Sequence, residues 1–323
     1  MKAAVLKQLG SAPVYSDFPD PVPQGNEQMV LYVKAAALKN FDKGRTKAGF
    51  YAAYRELPAI VGNDGVGVLE DGRKVYAMGI TGMMAEKALI AAGRYSVLPD
   101  GIDLALAATL PNAILGSAMA LRVRGEMKAG DVVLINGATG VTGQVAVQVA
   151  KHYGASKIIT TGRNEEGLQK LKTLGADITI SLKQSEEAII EQLKELHKQS
   201  PLNIVLDYLW ARPAEFIIQS LRAEGLITQS NKTKFITVGE MAGPNITLNS
   251  GTLRSAFIEI VGSSPATFSP KDFGTYSTQI LPEMFSLAAN GKLKLETQKE
   301  RLENIETVWN TESNGKRMVI IMD

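Results

Sequence analysis

The 323-residue sequence contains no cysteine. Disulfides, thiolate metal sites and a cysteine nucleophile are therefore excluded. Histidine is nearly absent as well, with only His152 and His197 present. Both fall in predicted helices and read as ordinary helix residues. A catalytic zinc usually needs three protein ligands and an open position, so no metal site is expected. An excess of charge of either sign is lacking too: Lys plus Arg total 35, Asp plus Glu total 33, and the net charge is +2. A chain this close to neutral has no electrostatic pull toward nucleic acid or an anionic membrane. No uninterrupted run of about 18 apolar residues is legible, so no membrane span is expected. The opening Met-Lys-Ala-Ala-Val-Leu-Lys lacks the apolar core of a signal peptide. A cytoplasmic protein is expected. No internal repeat or low-complexity tract is visible.

What is present suits a globular protein: 45% hydrophobic and 21% charged residues. The length fits two domains better than one core. Up to about residue 110 the chain reads as β-rich. Residues 29–35 alternate and carry β-branched side chains, which predicts a strand. Residues 66–69 and 74–78 flank Glu70-Asp71-Gly72, and Asp-Gly is a strong tight-turn signal, so a hairpin is predicted. Residues 17–25 hold three prolines and a glycine and read as extended loop. Helical character at 104–108 is interrupted by Pro111 and resumes at 117–124, with Asn112 and Ser117 as helix-start residues whose simplest role is capping.

From Gly130 the pattern changes. Strands are predicted at 132–135, 157–161, 178–181, 204–208 and 235–238. Helices are predicted at 144–153, 165–174, 186–198 and 213–221. Repeated alternation of strand and helix implies a parallel sheet covered on both faces, with right-handed crossovers. That is the Rossmann doubly wound α/β fold. After a strand at 257–261 the alternation stops, leaving a helix near 278–289 and a strand at 317–321. This remainder is too small for a domain and is expected to complete the N-terminal one.

The strongest motif is Asn136-Gly137-Ala138-Thr139-Gly140-Val141-Thr142-Gly143, set between a predicted strand and a predicted helix. Gly137 allows the tight turn, Gly140 lets the backbone approach a pyrophosphate, and Gly143 permits close helix packing. The helix N-terminus adds free N–H groups and partial positive charge for phosphates. All seven residues, Gly137, Ala138, Thr139, Gly140, Val141, Thr142 and Gly143, are cofactor-binding candidates. The next strand ends at Gly162-Arg163-Asn164. Arg163 lies 20 residues after Gly143, where an NAD enzyme carries an acidic residue for the ribose 2′-hydroxyl. No Asp or Glu stands at that strand end. A guanidinium there pairs with a 2′-phosphate in forked geometry, which favours NADPH over NADH. Glu165 and Glu166 read as first-turn helix acids. Gly239 and Glu240 follow a strand at its carboxyl end, where ligands gather in such sheets.

With the loop in place, the chain resembles the medium-chain dehydrogenase/reductase superfamily, and most of all its zinc-independent quinone oxidoreductase branch. The resemblance runs end to end. It includes Ala35-Ala36-Ala37-Leu38-Lys39-Asn40-Phe41-Asp42, Leu57-Pro58-Ala59-Ile60-Val61-Gly62-Asn63-Asp64-Gly65-Val66-Gly67, the glycine loop with Gln144-Val145-Ala146-Val147-Gln148-Val149-Ala150-Lys151, Leu174-Gly175-Ala176-Asp177 and Gly315-Lys316-Arg317. It implies a Rossmann domain (114–258) inserted into a GroES-like β-barrel catalytic domain (1–113 and 259–323), a homodimer, and a cleft for nicotinamide and a small-molecule substrate. It also implies that Gly262, Ser263 and Ser264 lie along the nicotinamide and that Lys316 lies near the cofactor. Zinc alcohol dehydrogenases carry a Cys near the Lys39 position and a His-Glu pair where this chain has Asn63-Asp64. Neither place retains a zinc ligand set, and the four-cysteine lobe is missing. Quinone oxidoreductases usually carry Asn at the Lys39 position, so either Lys39 or Asn40 can face the cleft. Asp42 is expected to hydrogen-bond backbone or Arg45.

Without a Lewis acid, hydride transfer needs an acceptor that is already electrophilic, such as a quinone or an α,β-unsaturated carbonyl. The resulting oxyanion needs hydrogen-bond donors. Lys39, Asn40, Tyr51 and Tyr54 are the cleft candidates, each also readable as surface or packing; no catalytic residue is singled out. The alternatives are a reductase of 2-enals or enoyl thioesters, and a non-catalytic NADPH-binding sensor. A short-chain reductase is disfavoured by the mid-chain position of the glycine loop.

Overall fold

The computed structural model describes residues 1–223, 231–311 and 315–322. The chain divides into two compact units, Met1–Pro111 with Ser277–Asp323, and Asn112–Tyr276.

The first unit is built on antiparallel strands. Strands β1 (Lys2–Leu6), β2 (Val14–Asp17) and β4 (Ala59–Ile60) form a small sheet in the order β2-β1-β4. A second sheet contains β3 (Gln28–Ala37), β5 (Asp64–Val68), β6 (Lys74–Gly79), β7 (Lys87–Val97), β14 (Thr297–Arg301) and β15 (Arg317–Ile321). Its order is β14-β15-β3-β5-β6-β7, and β3 also pairs with β7, which closes the sheet into a barrel. Closure leaves β7 paired on both sides, with β6 and with β3. The predicted hairpin is β5–β6, with Gly72 in the turn at φ +85°. The late strand β15 pairs antiparallel with β3, so the chain's end does return to this unit. Leu31, Val33, Ala36, Met83, Ile90, Ile305, Trp309 and Ile320 fill its core. Helix α1 (Asn40–Arg45) follows β3 directly.

The second unit is a six-stranded parallel sheet of β8 (Val132–Asn136), β9 (Lys157–Gly162), β10 (Ile178–Ser181), β11 (Ile204–Asp207), β12 (Thr233–Thr237) and β13 (Ile258–Gly262). The order β10-β9-β8-β11-β12-β13 reverses direction beside β8, which makes the β8/β11 carboxyl ends the topological switch point of a Rossmann fold. Helices α2 (Leu104–Ile114), α3 (Val141–His152), α4 (Glu165–Leu174), α5 (Glu186–Gln199) and α6 (Ala211–Ser220) accompany the sheets. β8 and β11 are apolar up to their last residues, Asn136 and Asp207, because both faces of the sheet are covered.

Three expectations change. The second unit, expected to end at 258, runs to Tyr276: β13 pairs in register with β12, which puts residues 258–262 in the parallel sheet, and the residues up to Tyr276 stay with it. Pro111 does not interrupt the helix. It removes one amide donor, yet the helix continues from Leu104 to Arg124 because Leu110, Ala113, Ile114, Ala118 and Leu121 are fully buried. Residues Leu115–Arg124 widen to π-helical bonding. Asn112 and Ser117 are therefore mid-helix rather than caps, and the Ser117 hydroxyl donates to the Ala113 carbonyl (2.7 Å). This 21-residue stretch is also long and apolar enough to cross a membrane, a feature missed because polar residues and Pro111 break it up; 72% of its most apolar window is buried inside the fold, as in the core helix of a globular protein.

Candidate functional site

The glycine loop sits at the carboxyl end of β8, at the switch point. Gly137 adopts φ +80°, and a Cβ there would lie 2.7 Å from the Leu209 side chain. Gly143 is inside the first turn of α3, where a Cβ would meet the Ala138 Cα at 2.5 Å and its carbonyl oxygen at 2.6 Å. The close packing thus falls on the loop's own backbone rather than on the strand. Gly140 is different. It is the N-cap of α3 with an ordinary φ of −74°, and a Cβ there would meet nothing within 4 Å. No side chain caps α3. The loop therefore presents the amide end of a 12-residue helix beneath open space, which is the arrangement that accepts a phosphate. Helix α3 begins at Val141, earlier than the predicted 144, so Val141, Thr142 and Gly143 form its first turn.

Neighbouring strand ends contribute the rest. Thr139 nests against Gly162, where a Cβ would lie 2.5 Å from the Thr139 methyl. Arg163 follows, exposed, at the end of β9. Asn164 is the N-cap of α4, and its side chain accepts from the Gly167 amide (2.8 Å), so it is engaged in capping. After β12, Gly239 approaches the Tyr208 carbonyl, which a Cβ would meet at 2.9 Å, and Glu240 is exposed. After β13, Gly262 accepts from Arg124 Nε through its carbonyl (2.9 Å). Ser263 is buried and its hydroxyl finds no partner; Ser264 is exposed at the start of a short 3-10 turn. The fold thus brings all the sequence-predicted cofactor residues except Lys316 to the carboxyl ends of one sheet. Lys316 belongs to the first unit, where it is exposed and 3.6 Å from Glu296.

Beneath the loop lies a buried polar network that sequence reasoning did not find. The Asp207 carboxylate accepts from Asn136 Nδ2 (2.7 Å), from the Leu209 amide (3.1 Å) and from the Trp210 amide (3.0 Å). The Asn136 carbonyl oxygen accepts from the Thr161 hydroxyl (2.5 Å), whose oxygen accepts from the Gly137 amide (3.1 Å). Asn136, Thr161 and Asp207 are all fully buried. Burial pushes the Asp207 carboxyl up, against the pull of the Asn136, Leu209 and Trp210 donors. The available signal was Asp207 itself, a carboxylate ending the apolar run Ile204-Val205-Leu206.

In the first unit, Lys39 is buried rather than on the surface, only 3% exposed. Its ammonium donates to Asp64 and to the Ala37 carbonyl (3.1 Å) and lies 3.3 Å from Asp42. Asp42 also accepts from the backbone amides of Lys39 (3.0 Å) and Asn63 (3.0 Å), and Tyr76 donates to Asp64 (2.8 Å). Asp42 thus bonds backbone as expected, with Lys39 in place of Arg45. The Arg317 guanidinium donates to the Leu38 carbonyl (3.4 Å) and feels both carboxylates. Two cations and two anions therefore make one neutral buried cluster. Burial pulls the Lys39 ammonium down, but Asp42 and Asp64 outweigh it, so the group stays above its ordinary value. With both carboxylates engaged by an ammonium, this donor set does not suit zinc.

Asn40 is exposed at the start of α1. Tyr51 and Tyr54 line one surface pocket of about 450 Å³ together with Arg45, Ala52, Ala53, Arg55 and Glu56. Tyr51 is 84% exposed and packs against Phe50 at 4.4 Å between centroids. Tyr54 lies under the Arg45 guanidinium at 4.2 Å, and burial pushes its hydroxyl pKa up.

Residues 141–264 match the zinc-binding dehydrogenase family. The probable NADPH-dependent quinone reductase tdiC of Emericella nidulans is 27% identical over 369 aligned positions, covering 99% of this chain and 100% of the relative. The chloroplastic NADPH-dependent alkenal/one oxidoreductase of Arabidopsis thaliana is 36% identical over 203 positions, 56% of this chain and 52% of the relative. Among solved structures, a mycobacterial quinone oxidoreductase superposes with a TM-score of 0.85 at 20% identity, covering 100% of both chains. The glycine loop at the switch point and the closed barrel completed by both chain ends go with these similarities: the chain resembles the medium-chain dehydrogenase/reductase superfamily, and most of all its quinone oxidoreductase branch.

Proposed function

We propose that the chain is a zinc-independent, NADPH-dependent reductase that delivers hydride to a quinone or an α,β-unsaturated carbonyl. The observation that carries the reading is the open, uncapped amide end of α3 above Gly140, bounded by Gly137 and Gly143, which cannot carry a side chain without displacing neighbours. Bound NADPH supplies the hydride and its redox chemistry. The chain supplies the cradle: residues 137–143 for the pyrophosphate, Arg163 for the 2′-phosphate, and Gly239, Glu240, Gly262, Ser263 and Ser264 at neighbouring strand ends. Lys316 is retained as a proposed cofactor contact. Donors for the substrate oxygen are proposed at Asn40, Tyr51 and Tyr54. The raised pKa of Tyr54 keeps its proton on Oη near neutrality. Lys39 is set aside as a direct donor, because its ammonium is already engaged by Ala37, Asp42 and Asp64.

Zinc independence is supported by the same cluster, whose carboxylates are neutralised by Lys39 and Arg317. The alkenal/one relative favours an activated alkene as one acceptor class; an enal or enoyl-thioester specialist, or an NADPH sensor without turnover, would show in an acceptor panel. A cytoplasmic homodimer is proposed as well. Strand β13 ends the parallel sheet, Ile258 and Ile260 are only half-buried, and Phe257 is 48% exposed. Light scattering should give twice 34.7 kDa; the monomer mass would remove the dimer.

The cofactor assignment is tested by titrating NADPH and NADH into wild type and Arg163→Ala. A charge-assisted contact to the 2′-phosphate contributes about 1.5–3 kcal/mol, so NADPH affinity should fall about 10- to 100-fold while NADH binding is little changed. Equal losses for both dinucleotides would remove the phosphate role.

A further inference from the structure

The turn after β11 is strained and central. Trp210 has φ +57° and ψ −156°, and Ala211 has φ +49°. Side chains with a Cβ rarely occupy either conformation, and the first belongs to a region populated almost only by glycine. Such geometry persists only where its surroundings over-determine it. Here the restraint is visible: the Asp207 carboxylate accepts from both the Leu209 and the Trp210 amides.

Each residue of the segment 207–209 then reaches a different wall of the cradle. Leu209 occupies the space that a Gly137 Cβ would need. The Tyr208 hydroxyl donates to the Gly116 carbonyl (2.7 Å), fixing the π-helical segment whose Gly116 lies against Thr142 of α3. The carbonyls of Asp207, Tyr208 and Leu209 accept from the amides of Val238 (2.8 Å), Met241 (3.3 Å) and Ala242 (2.8 Å), which places Gly239 and Glu240. A second route runs from Asp207 through Asn136 and Thr161 to the Gly137 amide.

We propose that Asp207 is a positioning residue for the dinucleotide: it holds the strained 209–211 turn against Gly137 and, through Asn136 and Thr161, sets the direction of the Gly137 amide. The residue itself touches no ligand in this account. The inference rests on the NADPH reading above and specifies which buried group makes that cradle rigid.

Asp207→Asn is the informative variant. Its Oδ1 can keep Asn136, Leu209 and the longer Trp210 contact (3.2 Å), but its Nδ2 replaces an acceptor 3.0 Å from the Trp210 N–H. Two donors then face each other and the turn must relax. The contacts that the carboxamide oxygen keeps, to Asn136, Leu209 and Trp210, still tie β8 to β11, so the sheet itself is left in place. Binding of NADPH and of NADH, followed by nicotinamide fluorescence, should weaken together by about 10-fold or more, the value of a hydrogen bond to a charged group. The melting temperature should stay near that of wild type. In the cofactor-free protein, amide exchange across 137–143 should quicken. Adding Trp210→Gly to Asp207→Asn should restore affinity, since glycine adopts this backbone without restraint. Unchanged affinity in Asp207→Asn, with wild type binding NADPH, would overturn the positioning role. So would affinity lost in step with melting temperature and not restored by Trp210→Gly, which would mark a merely structural carboxylate. A wild type that binds neither dinucleotide would overturn the NADPH reading itself, a different failure.

Discussion

Gly143→Val is expected to abolish practical NADPH binding while leaving a folded protein. The Cβ alone would stand 2.5–2.7 Å from three backbone atoms of Ala138, and backbone cannot swing aside as a flexible side chain can. Either α3 withdraws or the 137–143 loop bulges. Overpacking of this kind costs about 1–3 kcal/mol of stability. A displacement of about 1 Å at a site that depends on orientation costs on the order of 100-fold. The expected result is an NADPH dissociation constant raised about 100-fold or more, with a melting temperature lower by roughly 2–4 °C per kcal/mol. Gly140→Ala serves as the control for the cause. Its Cβ meets no protein atom and its φ of −74° suits alanine, so stability should hold. Affinity should nevertheless fall if a pyrophosphate lies against that backbone. Normal NADPH affinity in Gly143→Val would show that the loop is a structural turn only.

Lys39→Met should be the most destabilising single change in the barrel unit. It leaves Asp42 and Asp64 buried, with only the Arg317 guanidinium to oppose two carboxylates. Removing one partner of a buried ion pair costs about 3–5 kcal/mol, because the remaining charge stays desolvated. The loss should depend on pH, and the sign is fixed by Asp42. Burial raises its folded pKa above the unfolded value even with Lys39 present, and loss of the ammonium removes an opposing attraction. A carboxyl with a raised folded pKa binds protons more readily when folded, so stability falls as pH rises through that window. Denaturation of Lys39→Met should therefore show a deficit that grows as pH rises, because the Asp42 carboxyl is left ionised and without its ammonium partner. Adding Asp64→Asn to Lys39→Met restores charge balance with Arg317 and should recover roughly half of the loss. A deficit below about 1 kcal/mol, the range of exposed pairs, would mean that the cluster is hydrated.

Most of the candidate cofactor site was legible in the sequence. The glycine loop carries its own geometry, and the alternation of short apolar strands with helices of 3.6-residue period places it on a parallel sheet. The predicted bounds of α4 and β10, Glu165–Leu174 and Ile178–Ser181, agree with the structure because Asn164, Gly175 and the flanking turns are local signals. What stayed hidden depends on contacts between distant residues. Strands β1, β2, β7 and β14 were not marked out, since pairing rather than local pattern defines them. The helix through Pro111 continues because tertiary burial outweighs a missing amide. The boundary at Tyr276 follows from pairing of β13 with β12. Lys39 read as a surface lysine by composition, and only the approach of Asp64, 25 positions away, buries it. Asp207 is joined to Asn136 across 71 positions, a contact that no window of local sequence contains. The pattern is general to such sites: glycines announce where a ligand has room, whereas the polar groups that hold the loop rigid are single residues at strand ends.

The central claim is reduction of an electrophilic acceptor without zinc, and the most direct measurement follows NADPH absorbance with a simple 1,4-quinone in buffer containing a metal chelator. The account predicts sustained NADPH oxidation that the chelator does not slow and added zinc does not raise. NADPH consumption that stops on chelation and returns with zinc would contradict it.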